Sequence, residues 1–125
     1  LSSAGSTLWV DSEDKLDAVT AISGSGPAYV FYLIEALEAA ALALGLSDKD
    51  AKQLSLATFK GASLLADIND TPVSTLREQV TSKGGTTEQG LLSLENSKVK
   101  EAVMLAAKQA YIRSQSLGDE LSKSH

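Results

Sequence analysis

The sequence contains no cysteine, which excludes disulfides and thiolate metal sites. Its one histidine, His125, is the last residue, so a histidine-based triad and a zinc site built on His and Cys are excluded too, and no metal is expected. Clustered positive charge is missing as well. Lysines and arginines stand singly, the net charge is −5 and the pI is about 4.8, so nucleic acid is not an expected partner. The opening residues carry no basic segment followed by an apolar run and a cleavage site. No secretory signal is visible, and a cytoplasmic location is expected.

Aromatic residues are scarce, at 5%, although 43% of the chain is hydrophobic. Alanine supplies much of that fraction. Ala-rich elements bury little area each and gain stability through close helix–helix approach. Such a chain is expected to need a partner to finish its core. The longest apolar stretch, residues 28–46, has the length of a membrane span. Glu35 and Glu38 interrupt it, and each would cost on the order of 3 kcal/mol at the centre of a bilayer. The expectation is an enclosed helix of a soluble protein and no membrane partner.

Alternation of period two is absent apart from the few residues around Leu8-Trp9-Val10, while helical spacing recurs throughout. The opening Leu1 to Gly5 has the look of the tail of an earlier segment. Asp11 and Ser12 offer caps, with Glu13 and Asp14 in a first turn, predicting a short helix to about Ile22. Ser23-Gly24-Ser25-Gly26 is expected to break it. Pro27 then starts a helix to about Leu44, apolar nearly all round, that Gly45 stops. Ser47, with Asp50 three residues on, opens a helix to about Ile68. Thr71-Pro72 predicts a cap and first-turn proline for a short helix to Val80. Thr86, with Gln89 as capping-box partner, opens the next, and the last runs from about Lys98 to Leu121. The fold class expected is all-α, a helical bundle domain.

Two glycine-rich segments invite a chemical reading. Gly24-Ser25-Gly26-Pro27-Ala28-Tyr29 begins like a dinucleotide fingerprint, but Tyr29 stands at the third glycine position and no strand precedes it. A hinge between helices is the favoured reading. Ser82-Lys83-Gly84-Gly85-Thr86-Thr87 lies directly ahead of a helix, where free backbone N–H groups and the positive end of the helix dipole make a small anion site. Two glycines allow a close approach to the backbone, and three hydroxyls surround the same point. On the residues alone, a plain turn with Thr86 only as cap remains the simpler reading. The pattern does not choose between a carboxylate and a phosphate.

At these two segments the sequence resembles a known family. Val19-Thr20-Ala21-Ile22-Ser23-Gly24-Ser25-Gly26-Pro27-Ala28-Tyr29-Val30-Phe31 is similar to the stretch that opens the long core helix of pyrroline-5-carboxylate reductases. Leu76-Arg77-Glu78-Gln79-Val80-Thr81-Ser82-Lys83-Gly84-Gly85-Thr86-Thr87 resembles that family's signature loop, with Glu35-Ala36-Leu37 and Gly61-Ala62 falling between them where the family has them. The resemblance extends from about Leu1 to Leu121.

The resemblance implies an oxidoreductase of proline biosynthesis that reduces 1-pyrroline-5-carboxylate to L-proline with NADPH or NADH. It implies an N-terminal Rossmann domain and a C-terminal helical domain that interlocks with a second copy into a homodimer, with rings of dimers as a further assembly. Residues 1–125 correspond to the helical domain. No strand–glycine loop–helix unit occurs in them, so the cofactor site is expected outside this chain, and the chain alone is expected to be inactive. Carried onto these residues, the resemblance implies that Ser82, Gly84, Gly85 and Thr86 hold the substrate carboxylate. It makes Thr87 the catalytic residue, hydrogen-bonded to the ring nitrogen and helping to deliver a proton there. Val80 lines the ring pocket, and Asp70 is a further candidate contact to the nitrogen. Lys83 stands where the family often has proline, and Ala57-Thr58 where it often has Gln-Thr or Gln-Ala. The alternative is a non-catalytic helical dimerisation module that kept the fold.

Overall fold

Ser12 opens the described part of the chain, which covers residues 12–124 in the computed structural model. Among these residues are six α-helices, one π-helical turn and no strand: α1 (Glu13–Val19), the π turn (Thr20–Gly24), α2 (Gly26–Ala43), α3 (Asp48–Ile68), α4 (Val73–Gln79), α5 (Thr86–Asn96) and α6 (Val99–Ser124). The all-α expectation is borne out. The proposed cap Asp11, the extended stretch around Trp9 and His125 lie outside the described residues.

Helix boundaries follow local chemistry. The Ser12 hydroxyl accepts the Lys15 N–H at 3.3 Å, and the Ser47 hydroxyl accepts the Asp50 N–H at 3.1 Å, each satisfying one amide that the first turn leaves open. Gly45 has φ +97, and two backbone bonds close α2 around it: Leu46 N–H to Ala41 O at 3.1 Å and Gly45 N–H to Leu42 O at 3.0 Å. This is a Schellman motif, and it depends on a left-handed residue that glycine adopts without a Cβ clash.

Three expectations need correction. Ser23 to Gly26 does not break the helix: the chain passes from α1 to α2 through the π turn, in which the Ser25 N–H reaches back five residues to Thr20 O at 2.9 Å. Neither Gly24 nor Gly26 takes a positive φ, so their freedom goes unused. The Thr20 and Ser23 hydroxyls bond back to Leu16 O and Val19 O, which satisfies them without leaving the helix. At α4 it is Pro72, not Thr71, that occupies the cap, since its ψ of 144 places it outside the helix while its carbonyl accepts from Thr75 and Leu76. At α5 the cap is Gly85, with φ −88 and ψ 179, and Thr86 is the first helical residue.

Residues Ala28–Lys100 form one compact unit; the described residues before Ala28 form another with those from Glu101 on. In the latter, α1 is tied to α6 by side chains. The Ser114 hydroxyl donates to Asp17 Oδ1 at 2.6 Å, and Gln115 Nε2 donates to Asp14 Oδ1 at 3.3 Å and to the Tyr111 hydroxyl at 3.1 Å.

Burial is slight. Among the described residues only Ala21, Ala51 and Ser55 are buried, and the last two, four apart, share one face of α3. Large apolar side chains stay open: Phe31 at 65% exposure, Leu44 at 84% and Ile68 at 68%. The span Glu13–Ala43 is long and apolar enough, by length and composition, to cross a membrane. Glu35 along it is exposed and Glu38 half-buried.

Candidate functional site

Residues 80–85 join α4 to α5, and local hydrogen bonds fix their path. Val80 N–H donates to Arg77 O at 3.3 Å and Thr81 N–H to Glu78 O at 3.0 Å, while the Thr81 hydroxyl donates to Arg77 O at 2.6 Å. Gly85 N–H then closes a four-residue turn onto Ser82 O at 3.1 Å.

The two glycines serve different ends. Gly84 has φ +78, a region that costs a side-chain-bearing residue on the order of 1–2 kcal/mol. Gly85 has ordinary extended backbone, but a Cβ there would stand 2.6 Å from Ser82 Oγ and 3.2 Å from Ser82 O. The close neighbour that glycine permits is therefore Ser82, whose hydroxyl lies over the Gly85 backbone. The two glycines thus build the turn that brings Ser82 against the start of α5.

Because Gly85 is the cap, the first three helical amides are those of Thr86, Thr87 and Glu88, which have no carbonyl four residues back within α5. Gln89 N–H is the first to bond backward, to Gly85 O at 3.4 Å. One amide outside the helix is also engaged: Gly84 N–H donates to Glu88 Oε1 at 2.9 Å. Sequence reading missed Glu88. Placing the cap at Thr86 made Gln89 the partner; with the cap one residue earlier, the reaching acid stands at Glu88, the third helical position.

Two clefts flank α4. One, of about 430 Å³, is mostly apolar and is lined by Leu65, Ala66, Val73, Leu76 and Val80 among others. Val80 is 69% exposed there. The other, of about 250 Å³, is bordered by Arg77, Glu78, Thr81, Glu88 and Glu95 with Leu91 and Leu92. Ser82, Thr86 and Thr87 are exposed and line neither cleft. Asp70, in the segment between α3 and α4, is exposed and also lines neither. Thr87 makes no side-chain hydrogen bond among the described residues. No group of three or more His, Cys, Asp or Glu able to hold a metal occurs among them.

The arrangement is similar to that of solved proteins. A Coxiella burnetii pyrroline-5-carboxylate reductase superposes with a TM-score of 0.85 at 43% identity, over 88% of this chain and 41% of that one. The Plasmodium falciparum pyrroline carboxylate reductase, solved with NADP bound, gives 0.83 at 42% identity over 86% of this chain and 44% of that one. In sequence, pyrroline-5-carboxylate reductase of Pseudomonas aeruginosa is 42% identical over 123 residues, which are 98% of this chain and 45% of that protein. The chain thus spans less than half the length of the relatives it matches. Residues 13–117, from the first turn of α1 into α6, match the family model for pyrroline-5-carboxylate reductase dimerisation, and the chain belongs to that family.

Proposed function

We propose that this chain is the dimerising, substrate-binding part of a pyrroline-5-carboxylate reductase, an enzyme reducing 1-pyrroline-5-carboxylate to L-proline with NADPH or NADH. The observation that carries the reading is the start of α5: three amides without intrahelical acceptors, at the positive end of a helix dipole, beside the Ser82, Thr86 and Thr87 hydroxyls. A carboxylate bound there gains N–H donors that the helix leaves unpaired and already oriented. In this reading Ser82, Gly84, Gly85 and Thr86 form the carboxylate seat, the glycines by shaping the turn. Thr87 presents its hydroxyl to the ring nitrogen and holds a proton there, Val80 lies against the ring, and Asp70 is a secondary candidate.

The P. falciparum relative was solved with NADP bound. The described residues of this chain contain no strand, hence no strand–helix turn to cradle a pyrophosphate, and they do not fit a dinucleotide. Cofactor binding is placed in the Rossmann domain expected ahead of this part.

The partner proposed for the apolar surface is a second copy of the chain, with rings of dimers as the further assembly. Glu35 and Glu38 within the apolar span favour protein over lipid as its cover. Neither membrane nor nucleic acid is a proposed partner, and the proposed location is the cytoplasm.

The alternative, a dimerisation module without a reaction, is favoured by one observation. The Gly84 and Gly85 amides already have partners in Glu88 and Ser82, so part of the loop is complete without a ligand. Calorimetric titration of the full-length protein with proline separates the two. Binding that Thr87→Ala or Ser82→Ala weakens supports the substrate loop, and no binding favours the module.

A further inference from the structure

We propose that Glu88 is a positioning residue for the 82–87 loop, setting by its reach which amides face the substrate; this rests on the substrate-loop reading above. Gly84 takes a left-handed φ of +78, and among the described residues nothing stands within 4 Å of where its Cβ would be. Turn chemistry alone leaves its amide open, because the Ser82–Gly85 bond uses the neighbouring amide. Glu88 supplies the missing acceptor from one helical turn inside α5, at 2.9 Å, closing a ring from Gly84 through the first turn of the helix.

Two consequences follow for the loop. The bond ties the flexible glycine pair to the helix, so the amides of Thr86 and Thr87 keep a fixed direction relative to Ser82. It also occupies the Gly84 amide, directing an incoming carboxylate to the helical amides. Glu88 is half-buried and borders the cleft shared with Arg77, Glu78, Thr81 and Glu95. Its carboxylate sits in the first turn of α5, where the dipole favours negative charge. What the loop needs from it is an acceptor at the right reach, more than a charge.

Charge and reach can be separated by substitution in the full-length enzyme. Glu88→Asp keeps the charge and its favourable place at the helix start but is one methylene too short to meet the Gly84 amide. Glu88→Gln keeps the reach and an acceptor oxygen and removes the charge. The expected result is that Glu88→Asp raises KM for 1-pyrroline-5-carboxylate about three- to tenfold, the size of one lost hydrogen bond. Its kcat should fall by less than its KM rises, because the Thr87 hydroxyl itself is retained. Glu88→Gln should keep a KM at or below that of the parent.

Equal impairment of both variants would assign the effect to charge and overturn the proposal, as would an unchanged KM in Glu88→Asp. A lower KM in Glu88→Asp would overturn it too, by making Glu88 a competitor of the substrate carboxylate. Circular dichroism and the oligomer mass show whether each variant is folded. If Glu88→Asp does not fold, Glu88→Ala replaces it with the same expectation. Thr87→Ala run alongside keeps the two readings apart. Loss of turnover there with no effect at Glu88 sinks only the positioning role, whereas no effect at Thr87 sinks the substrate loop itself.

Discussion

Ser82 and Gly85 show how little room one residue can leave another. The Ser82 hydroxyl lies 2.6 Å and the Ser82 carbonyl oxygen 3.2 Å from where a Gly85 Cβ would stand, so Gly85→Ala must turn the hydroxyl to another rotamer and ease the turn by a few tenths of an ångström. Overpacking of this kind costs about 1–3 kcal/mol, and a lower melting temperature together with a raised KM is the expected outcome. Gly84→Ala meets no clash but must hold φ +78, for about 1–2 kcal/mol. Thr87 is the contrasting position. Its hydroxyl is exposed and serves no hydrogen bond among the described residues, so Thr87→Ala should leave the melting temperature within about a degree. In the role proposed for it, donor to the ring nitrogen, its loss should lower kcat about a hundredfold or more. Unchanged turnover would remove Thr87 from the mechanism. The loop itself was legible in the sequence, because its glycines and hydroxyls are adjacent. Glu88 was not, because its role depends on a cap displaced by one residue.

Helix ends are where local sequence speaks most clearly. Ser12, Gly45 and Ser47 each act within a few residues of themselves, and the structure finds each as a reading of caps expects. Ser47→Ala should cost about 1 kcal/mol by stripping the Asp50 amide of its acceptor, measured by denaturant titration. An unaltered midpoint would mean that solvent serves that amide as well as the serine does. The π turn was illegible for the opposite reason. Ser-Gly-Ser-Gly is a sound breaker by local propensity, yet the hydroxyls of Thr20 and Ser23 bond back to the helix and the chain continues. Propensity is only a weak prior at such places, and hydroxyls that bond back four residues no longer compete with the helix. Lys98 carries φ +55 between α5 and α6, and no feature of its local sequence marks it.

At the scale of the whole molecule the outstanding property is apolar surface left open. Phe31, Tyr32, Leu44, Leu64 and Ile68 are each more than half exposed, and burying such a side chain fully stabilises by about 1.5–3 kcal/mol. A few of them covered by a second copy outweigh the stability of many small domains. A chain of 13.0 kDa should therefore run at twice that mass, or a multiple of it, in light scattering. Dilution should then lower its melting temperature, since folding and association are linked. A well-folded monomer would remove the second copy as the proposed cover. Composition signalled this need early, through abundant alanine and few aromatics. The identity of the covering surface was not legible, because periodicity within one chain marks an apolar face without marking what meets it.

The crowding of Ser82 over Gly85 bears on how tolerance to substitution should be interpreted here. In a saturation scan read by turnover, position 85 will report on packing as well as on the reaction, since a side chain there must turn the Ser82 hydroxyl aside and ease the approach to its carbonyl. That steric demand would persist if the loop bound nothing at all. Position 87 carries no such obligation to the fold, so its tolerance profile tests the role proposed for its hydroxyl.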